Sequence, residues 1–362
     1  MALPHSKTQP LKALSLGAGA IGTYIGGSLV LAGQALVFLE QERVAADLRQ
    51  RGLRLDLSTD KRRKAKGAYL VEPSSYVVAT SLEEALRYGP FDVALYALKS
   101  FDTPAALEQI RPLADKLPPF LCLSNGVENE PALASVLGVD KVIYGTVTSA
   151  IGRRGPGEIV LERLRGVGIA GTHPLSDRLL AALEGAFLNA RAFPDALAMK
   201  WSKMLTNLLA NPLSAILDMT AAEIYAHPAL YRLEMAMLRE CLAVMQAHDI
   251  AVVDLPGTPV RALAFAASLP HWLSRPLLSR AAGSGRGGKM PSFHIDLYAG
   301  RGQTEVEYLH GAVVRAGEQV GIPTPVNRFL TNTLSALAKG DIPLEKYAHR
   351  PEDLLRQLPL ER

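Results

Sequence analysis

Residues 13–39 contain no charged side chain, yet six glycines fall among them, at Gly17, Gly19, Gly22, Gly26, Gly27 and Gly33. That pairing constrains the fold more than any other feature of the chain. An uncharged stretch of this length is long enough to cross a bilayer. The interspersed glycines, and the lack of a basic lead-in followed by a small-residue cleavage site, argue against both a membrane span and a signal peptide. A strand covered on both faces, a glycine turn, a helix and a second covered strand give the same run. The expected elements are therefore a strand Leu11–Leu16, a helix to about Leu31, a strand Leu36–Leu39 and an amphipathic helix Arg43–Arg51.

Short apolar runs at Asp92–Leu98, Phe120–Leu123 and Val142–Val147 continue the alternation, which is the rhythm of a doubly wound parallel sheet. From about Pro194 the period changes. Met199–Leu217 reads as one long helix, and Ala229–Ala247, Glu305–Val320 and Asn327–Lys339 also carry apolar positions at helical spacing. The reading is an α/β dinucleotide-binding domain over residues 11–193 and an all-helical domain over 194–345. A chain of 362 residues asks for about two cores. Residues 255–290 end in the glycine-rich GSGRGGK and are expected to form an enlarged mobile loop; the last dozen residues read as a polar tail. The GGK lacks the spacing of a phosphate loop.

Composition excludes other classes. With 48% hydrophobic and 20% charged residues the chain packs rather than staying disordered. Its net charge of +4 is dispersed, which argues against nucleic acid as a partner. Cys122 and Cys241 sit in apolar surroundings without metal-ligand spacing, so no metal site and no disulfide is expected, and a reducing, cytoplasmic setting fits.

Gly17, Gly19 and Gly22 form G-A-G-A-I-G between the first strand and the first helix. The first glycine permits the tight turn, the second lets the backbone approach a pyrophosphate, and the third lets helix and strand pack closely. Ala20 and Ile21 open the helix, whose N-terminus supplies N–H donors. About 20 residues on, Glu40 ends the second strand, where an acid would hold the adenosine ribose and repel a 2′-phosphate, favouring NAD(H). Alternatively, Glu40 caps the next helix and faces water.

In W-S-K-M-L-T-N-L-L-A-N-P, residues 201–212, Lys203, Asn207 and Asn211 recur every four residues on an otherwise apolar helix. Buried polar groups need partners. A lysine beside two amides suits a carbonyl substrate, the ammonium giving a proton as hydride arrives; a helix hydrogen-bonded across a domain interface would show the same stripe.

Six segments, G-A-G-A-I-G, L-K-S-F-D-T (98–103), L-S-N-G-V-E-N-E (123–130), K-x-x-x-N-x-x-x-N-P, P-S-F-H-I-D (291–296) and T-E-V-E-Y (304–308), occur in one order. Together the chain resembles the ketopantoate reductase (2-dehydropantoate 2-reductase) family over about residues 11–340. The resemblance implies a Rossmann N-terminal domain, a helical domain like the C-terminal part of 6-phosphogluconate dehydrogenase, and a substrate cleft between them. It implies NADP(H)-dependent reduction of ketopantoate to pantoate, a step of pantothenate biosynthesis. Lys203 matches the catalytic general acid and Glu305 the glutamate that helps hold it; Asn207, Asn211, Asn125 and Ser292 match substrate-binding positions. Lys99, with Asn125 again, matches the cofactor contacts. By spacing alone Lys99 is an ordinary strand-end lysine and Asn125 an Asn-Gly turn.

The departures bear on specificity. Gln41 stands where the family carries an arginine for the 2′-phosphate, Arg43 being the only nearby base, so NAD(H) enters as an alternative cofactor. His310 replaces an asparagine, and His294 replaces an apolar residue, either lining the pocket or satisfied in the core. The expected partner is a small 2-oxo acid, with no nucleic acid and no membrane, in a chain expected to form a homodimer. The alternatives are an NAD-dependent dehydrogenase of another 2-hydroxy acid and a non-catalytic dinucleotide-binding sensor.

Overall fold

The computed structural model describes residues 10–63, 67–276, 278 and 290–358. The chain forms two compact units. The first comprises the described residues of Met1–Ser124, Asn129–Ala196 and Pro256–Thr258; the second those of Asn125–Glu128, Leu197–Leu255 and Pro259–Arg362.

The first unit is built on strands β1 (Lys12–Leu16), β2 (Ala35–Leu39), β3 (Leu53–Asp56), β4 (Tyr69–Val71), β5 (Val77–Ala79), β6 (Val93–Tyr96), β7 (Phe120–Cys122), β8 (Val142–Val147), β9 (Ala150–Gly155), β10 (Glu158–Arg163), β11 (Val167–Ala170) and β12 (Ala190–Phe193). The main sheet runs β12-β11-β8-β7-β6-β1-β2-β5. From β5 through β8 every neighbouring pair is parallel, and β11 joins β8 antiparallel. This is the strand order of a Rossmann fold with two strands added at one edge. In β1, Ala13 and Leu14 are both fully buried and belong to different apolar clusters, one on each face of the sheet. Burial on both sides is why the run lacks charge.

The register brings the site together. Leu16 lies opposite Leu39 on one side and Tyr96 on the other. Gly17, Glu40 and the Ala97–Lys99 turn therefore leave the sheet at one level, at the carboxyl ends of the strands where the order reverses. Helix α1 (Ala20–Leu31) follows β1 and α2 (Glu42–Arg51) follows β2. A second sheet, β4-β3-β10-β9, was not anticipated. Its strands are short and rich in arginine and glutamate, and β3 pairs with β10 about a hundred residues away, so no local apolar run announces it.

The described part of the second unit is helical, with α3 (Ala196–Leu208), α4 (Asn211–Leu217), α5 (Pro228–Ala247), α6 (Ser292–Tyr298), α7 (Val306–Val320) and α8 (Pro325–Lys339). The expected single helix 199–217 is two helices. Pro212 has no N–H and its ring would strike the carbonyl four residues back, so α3 stops and Ala210 turns left-handed (φ 55°) before α4 begins. Residues 255–290 are not loop throughout: Val260–Ser268 is a helix, while Leu277 and residues 279–289, with the GSGRGGK segment, lie outside the described residues. The expected polar tail begins with a helix, Pro351–Leu355, whose Leu354 is fully buried. Among the described residues no helix is long and apolar enough to cross a membrane.

Candidate active site

The turn after β1 is shaped by its glycines. Gly17 has φ +94°, a left-handed value that favours glycine. A Cβ on Gly22 would lie 1.9 Å from the Gly17 carbonyl oxygen, so only glycine lets the helix close onto the turn. Gly19 differs: it is the N-cap of α1, and a Cβ there would meet nothing within 4 Å. No side chain caps the helix and its first turn, which includes Ala20 and Ile21, holds no acid. An uncapped helix start of this kind attracts anions.

Beside the turn is a cavity of about 300 Å³, lined among others by Gly17, Glu40, Gln41, Thr80, Leu98 and Asp102. Glu40 does not cap α2, whose N-cap is Gln41. Its carboxylate accepts hydrogen bonds from the Ala18 N–H in the glycine turn and, at 3.2 Å, from the Gln41 N–H. Arg43 is exposed on α2 and is not part of the lining; Lys99 is half-buried directly after Leu98. Apolar walls, two carboxylates and an adjoining bare helix terminus have the chemistry to hold a dinucleotide: the turn of Gly17, Gly19, Ala20, Ile21 and Gly22 could take a pyrophosphate, and Glu40 and Gln41 ribose hydroxyls, with Lys99 next to the lining.

Two glycine variants separate architecture from binding. Gly22→Ala is expected to destabilise the protein by more than about 3 kcal/mol, because the new methyl overlaps backbone that cannot yield. Gly19→Ala is expected to melt like the parent while binding NADH at least about tenfold more weakly, since its methyl occupies the space the pyrophosphate needs. Thermal melts and NADH titration of both variants check this; equal affinities for parent and Gly19→Ala would remove the glycine turn from the site.

The remaining predicted residues all belong to the second unit. Lys203 and Asn207 stand one turn apart on α3, half-buried, while Met204, Leu205 and Leu208 between and beside them are buried. Asn207 Nδ2 donates to Asn125 Oδ1 at 3.1 Å. Asn211 begins α4 rather than continuing α3, yet stays in the row, because its Nδ2 donates to the Asn207 carbonyl at 3.1 Å. The same side chain meets Ser292 Oγ at 3.3 Å and accepts the Phe293 N–H at 3.0 Å, so it caps the start of α6. Ser292 itself is exposed. Glu305, 2% exposed, is at the N-cap position of α7. The helix break has its own support, Glu234 of α5, fully buried and accepting the Ala210 N–H at 2.8 Å. An acid within an apolar helical pattern is the sequence signal of such a buried polar contact.

The two unusual histidines have partners. His294 Nε2 is 2.7 Å from Asp218 and its ring stacks on Tyr298 at 4.2 Å, which matches the satisfied-histidine alternative. His310 is fully buried, with Nδ1 2.9 Å from Asn327 Oδ1 and its ring edge toward Phe293. Since Asn327 Nδ2 donates to Glu240 and to the Met237 carbonyl, its Oδ1 is the acceptor and the His310 Nδ1 carries the proton. Burial pushes the His310 pKa down to about 3, so the ring is neutral. Among the described residues no group of three or more His, Cys, Asp or Glu side chains is arranged to hold a metal.

Comparison with known proteins identifies the family. Residues 14–172 match the family model for ketopantoate reductase PanE/ApbA, and residues 195–338 match that for the ketopantoate reductase PanE/ApbA C terminal. A 2-dehydropantoate 2-reductase of Archaeoglobus fulgidus is 27% identical over 330 residues, covering 90% of this chain and 97% of its own. A PanE/ApbA family ketopantoate reductase from Ralstonia eutropha superposes with a TM-score of 0.74 at 24% identity, covering 91% of this chain and 99% of the other. D-Mandelate dehydrogenase with NADH and anilino(oxo)acetate has a TM-score of 0.72 at 20% identity over the same shares. The solved structures carry the fold alone. Because the two family models between them span most of the sequence, including the glycine turn and the Lys203–Asn211 row, the chain belongs to the ketopantoate reductase family, a family of oxidoreductases.

Proposed function

We propose that this enzyme reduces a small 2-oxo acid, first of all 2-dehydropantoate to pantoate, with Lys203 as general acid and NADH as the preferred reductant. The observation that carries the reading is the row Lys203, Asn207 and Asn211, extended by Asn125 and Ser292 through hydrogen bonds at 3.1 and 3.3 Å. When bound, the nicotinamide supplies a hydride to the substrate's C2 carbon. Lys203 then gives a proton to the carbonyl oxygen as it gains negative charge. The Asn125 and Asn207 amides fix the orientation of that oxygen and its neighbours, and Ser292, held by Asn211, donates its O–H to the carboxylate. Glu305, buried beside a helix start, carries the charge that balances the lysine.

The cofactor preference rests on the cavity lining. Among the described residues it is lined by Glu40 and Asp102 and by no Arg, Lys or His, so a 2′-phosphate there would face two carboxylates. The fold relative D-mandelate dehydrogenase was itself captured with NADH. Initial rates of NADH and NADPH consumption with ketopantoate and a panel of other 2-oxo acids test the proposal. NADH is expected to win, and the double change Glu40→Ser, Gln41→Arg is expected to move the ratio of kcat/KM values toward NADPH by about 100-fold, or ~2.7 kcal/mol. Equal use of both cofactors by the parent would overturn the preference. Turnover of another 2-oxo acid but not ketopantoate would make it a dehydrogenase of a different 2-hydroxy acid, and silence with the whole panel would leave a dinucleotide sensor.

A further inference from the structure

We propose that Glu128 and Arg315 are positioning residues, a latch that holds the Asn125 amide in place; the inference rests on the reading of Asn125 as a substrate contact. The segment Asn125–Glu128 belongs to the helical unit although Ser124 and Asn129 on either side of it belong to the first. Its attachments to that unit include two side-chain contacts. One is the 3.1 Å bond between Asn207 and Asn125. The other is a fork from Arg315 to Glu128, with Nε to Oε1 at 2.8 Å and Nη2 to Oε2 at 2.6 Å. Between them lies Gly126 with φ +88°, a residue without a side chain to stiffen the turn. The fork anchors the far end of the short segment, so the amide that faces Asn207 is held from beyond the glycine as well.

The arginine is itself arranged for the task. Arg315 is on α7 and its Nη2 also donates to the Glu307 carbonyl two turns back, at 2.8 Å. For that its guanidinium must fold along the helix over residue 311, which is glycine. A Cβ there would stand 3.2 Å from both Arg315 Nη1 and a Glu307 carboxylate oxygen. A glycine inside a helix is unfavourable, and here it leaves the room the arginine occupies. Ser335 of α8 donates to the other Glu307 oxygen at 2.7 Å, so the platform spans both helices. The Arg315 and Glu128 side chains are 43% and 41% exposed, and such pairs add little to global stability. A forked Arg–carboxylate contact does fix geometry, because two parallel bonds allow only one approach.

The test compares Glu128→Gln, Arg315→Gln and the reversed pair Glu128→Arg with Arg315→Glu in the full chain. Three readouts are needed: steady-state KM and kcat for the 2-oxo acid, thermal melting, and amide hydrogen exchange across residues 123–130. Each single change is expected to raise KM about fivefold to tenfold with kcat within about twofold, to leave the melting temperature in place and to speed exchange in the segment. The reversed pair is expected to restore KM and exchange together. Unchanged KM and exchange in the single variants, or a reversed pair no better than either single, would overturn the latch. Should the parent turn over no 2-oxo acid, the proposed reaction fails, while the exchange comparison still decides whether the pair orders the segment.

Discussion

Replacing Lys203 with alanine is expected to lower kcat by about 100-fold to 10,000-fold, or ~3–5 kcal/mol of barrier, while NADH binding holds. The position favours a clean result. Lys203 is half-buried on α3, a helix in which alanine is the better helix former, and its apolar neighbours Met204 and Leu205 are buried whatever stands at 203. The cofactor residues are on other elements, so binding should be spared. Lys203→Arg distinguishes proton donation from charge alone. An arginine keeps the positive charge but holds its proton too tightly to give it up at neutral pH, so activity is expected to stay near that of the alanine variant. A loss below about tenfold, or full activity in the arginine variant, would remove Lys203 as the general acid.

The second large effect is on stability in acid. His310 is fully buried with a pKa pushed down to about 3, against an ordinary value of 6.5. The unfolded chain therefore takes up a proton at this side chain well before the folded one. Stability is full above about pH 6.5 and falls as pH drops toward 3, with a limiting slope of about 1.4 kcal/mol per pH unit. Between pH 7.5 and pH 5 the residue alone should cost about 2 kcal/mol. His310→Asn, which keeps a polar side chain near Asn327 but cannot titrate, should lose that share of the acid sensitivity. Urea unfolding of both proteins at the two pH values isolates the difference, since the other titrating groups are common to both. Parallel stability losses would show that His310 gains its proton as easily in the folded state as outside it.

Much of this protein was legible in local pattern. The uncharged, glycine-punctuated run 13–39 announced β1, α1 and β2 because a strand buried on both faces cannot carry charge, and the four-residue recurrence of Lys203 and Asn207 placed both on one side of α3. The break before Asn211 is legible too, in Pro212, whose missing N–H outweighs the four-residue spacing of the asparagine. Pro212 can give no N–H to the carbonyl four residues back and its ring crowds that carbonyl, which overrides periodicity, and α3 and α4 meet at the left-handed Ala210 as a result. Asn211 keeps its place in the row by a side-chain bond to the Asn207 carbonyl rather than by helical pitch.

What the sequence by itself determined were the features set by neighbours along the chain: the glycine turn, the amphipathic helices, the acid at the end of β2 and the polar row of α3. What only the tertiary structure decided were pairings between distant residues. The β4-β3-β10-β9 sheet joins segments too short and too polar to show a period. Glu234 meets the Ala210 N–H, His310 is sealed against Asn327, and Arg315 grips Glu128 across 187 positions. Each depends on a backbone position fixed by packing elsewhere, and a side chain's reach is a few ångströms in space whatever the separation in sequence. Glu40 shows both sides of the division. Its place at the strand end follows from the apolar run before it, and its turn toward the Ala18 N–H, away from the start of α2, follows from the register of β1 against β2.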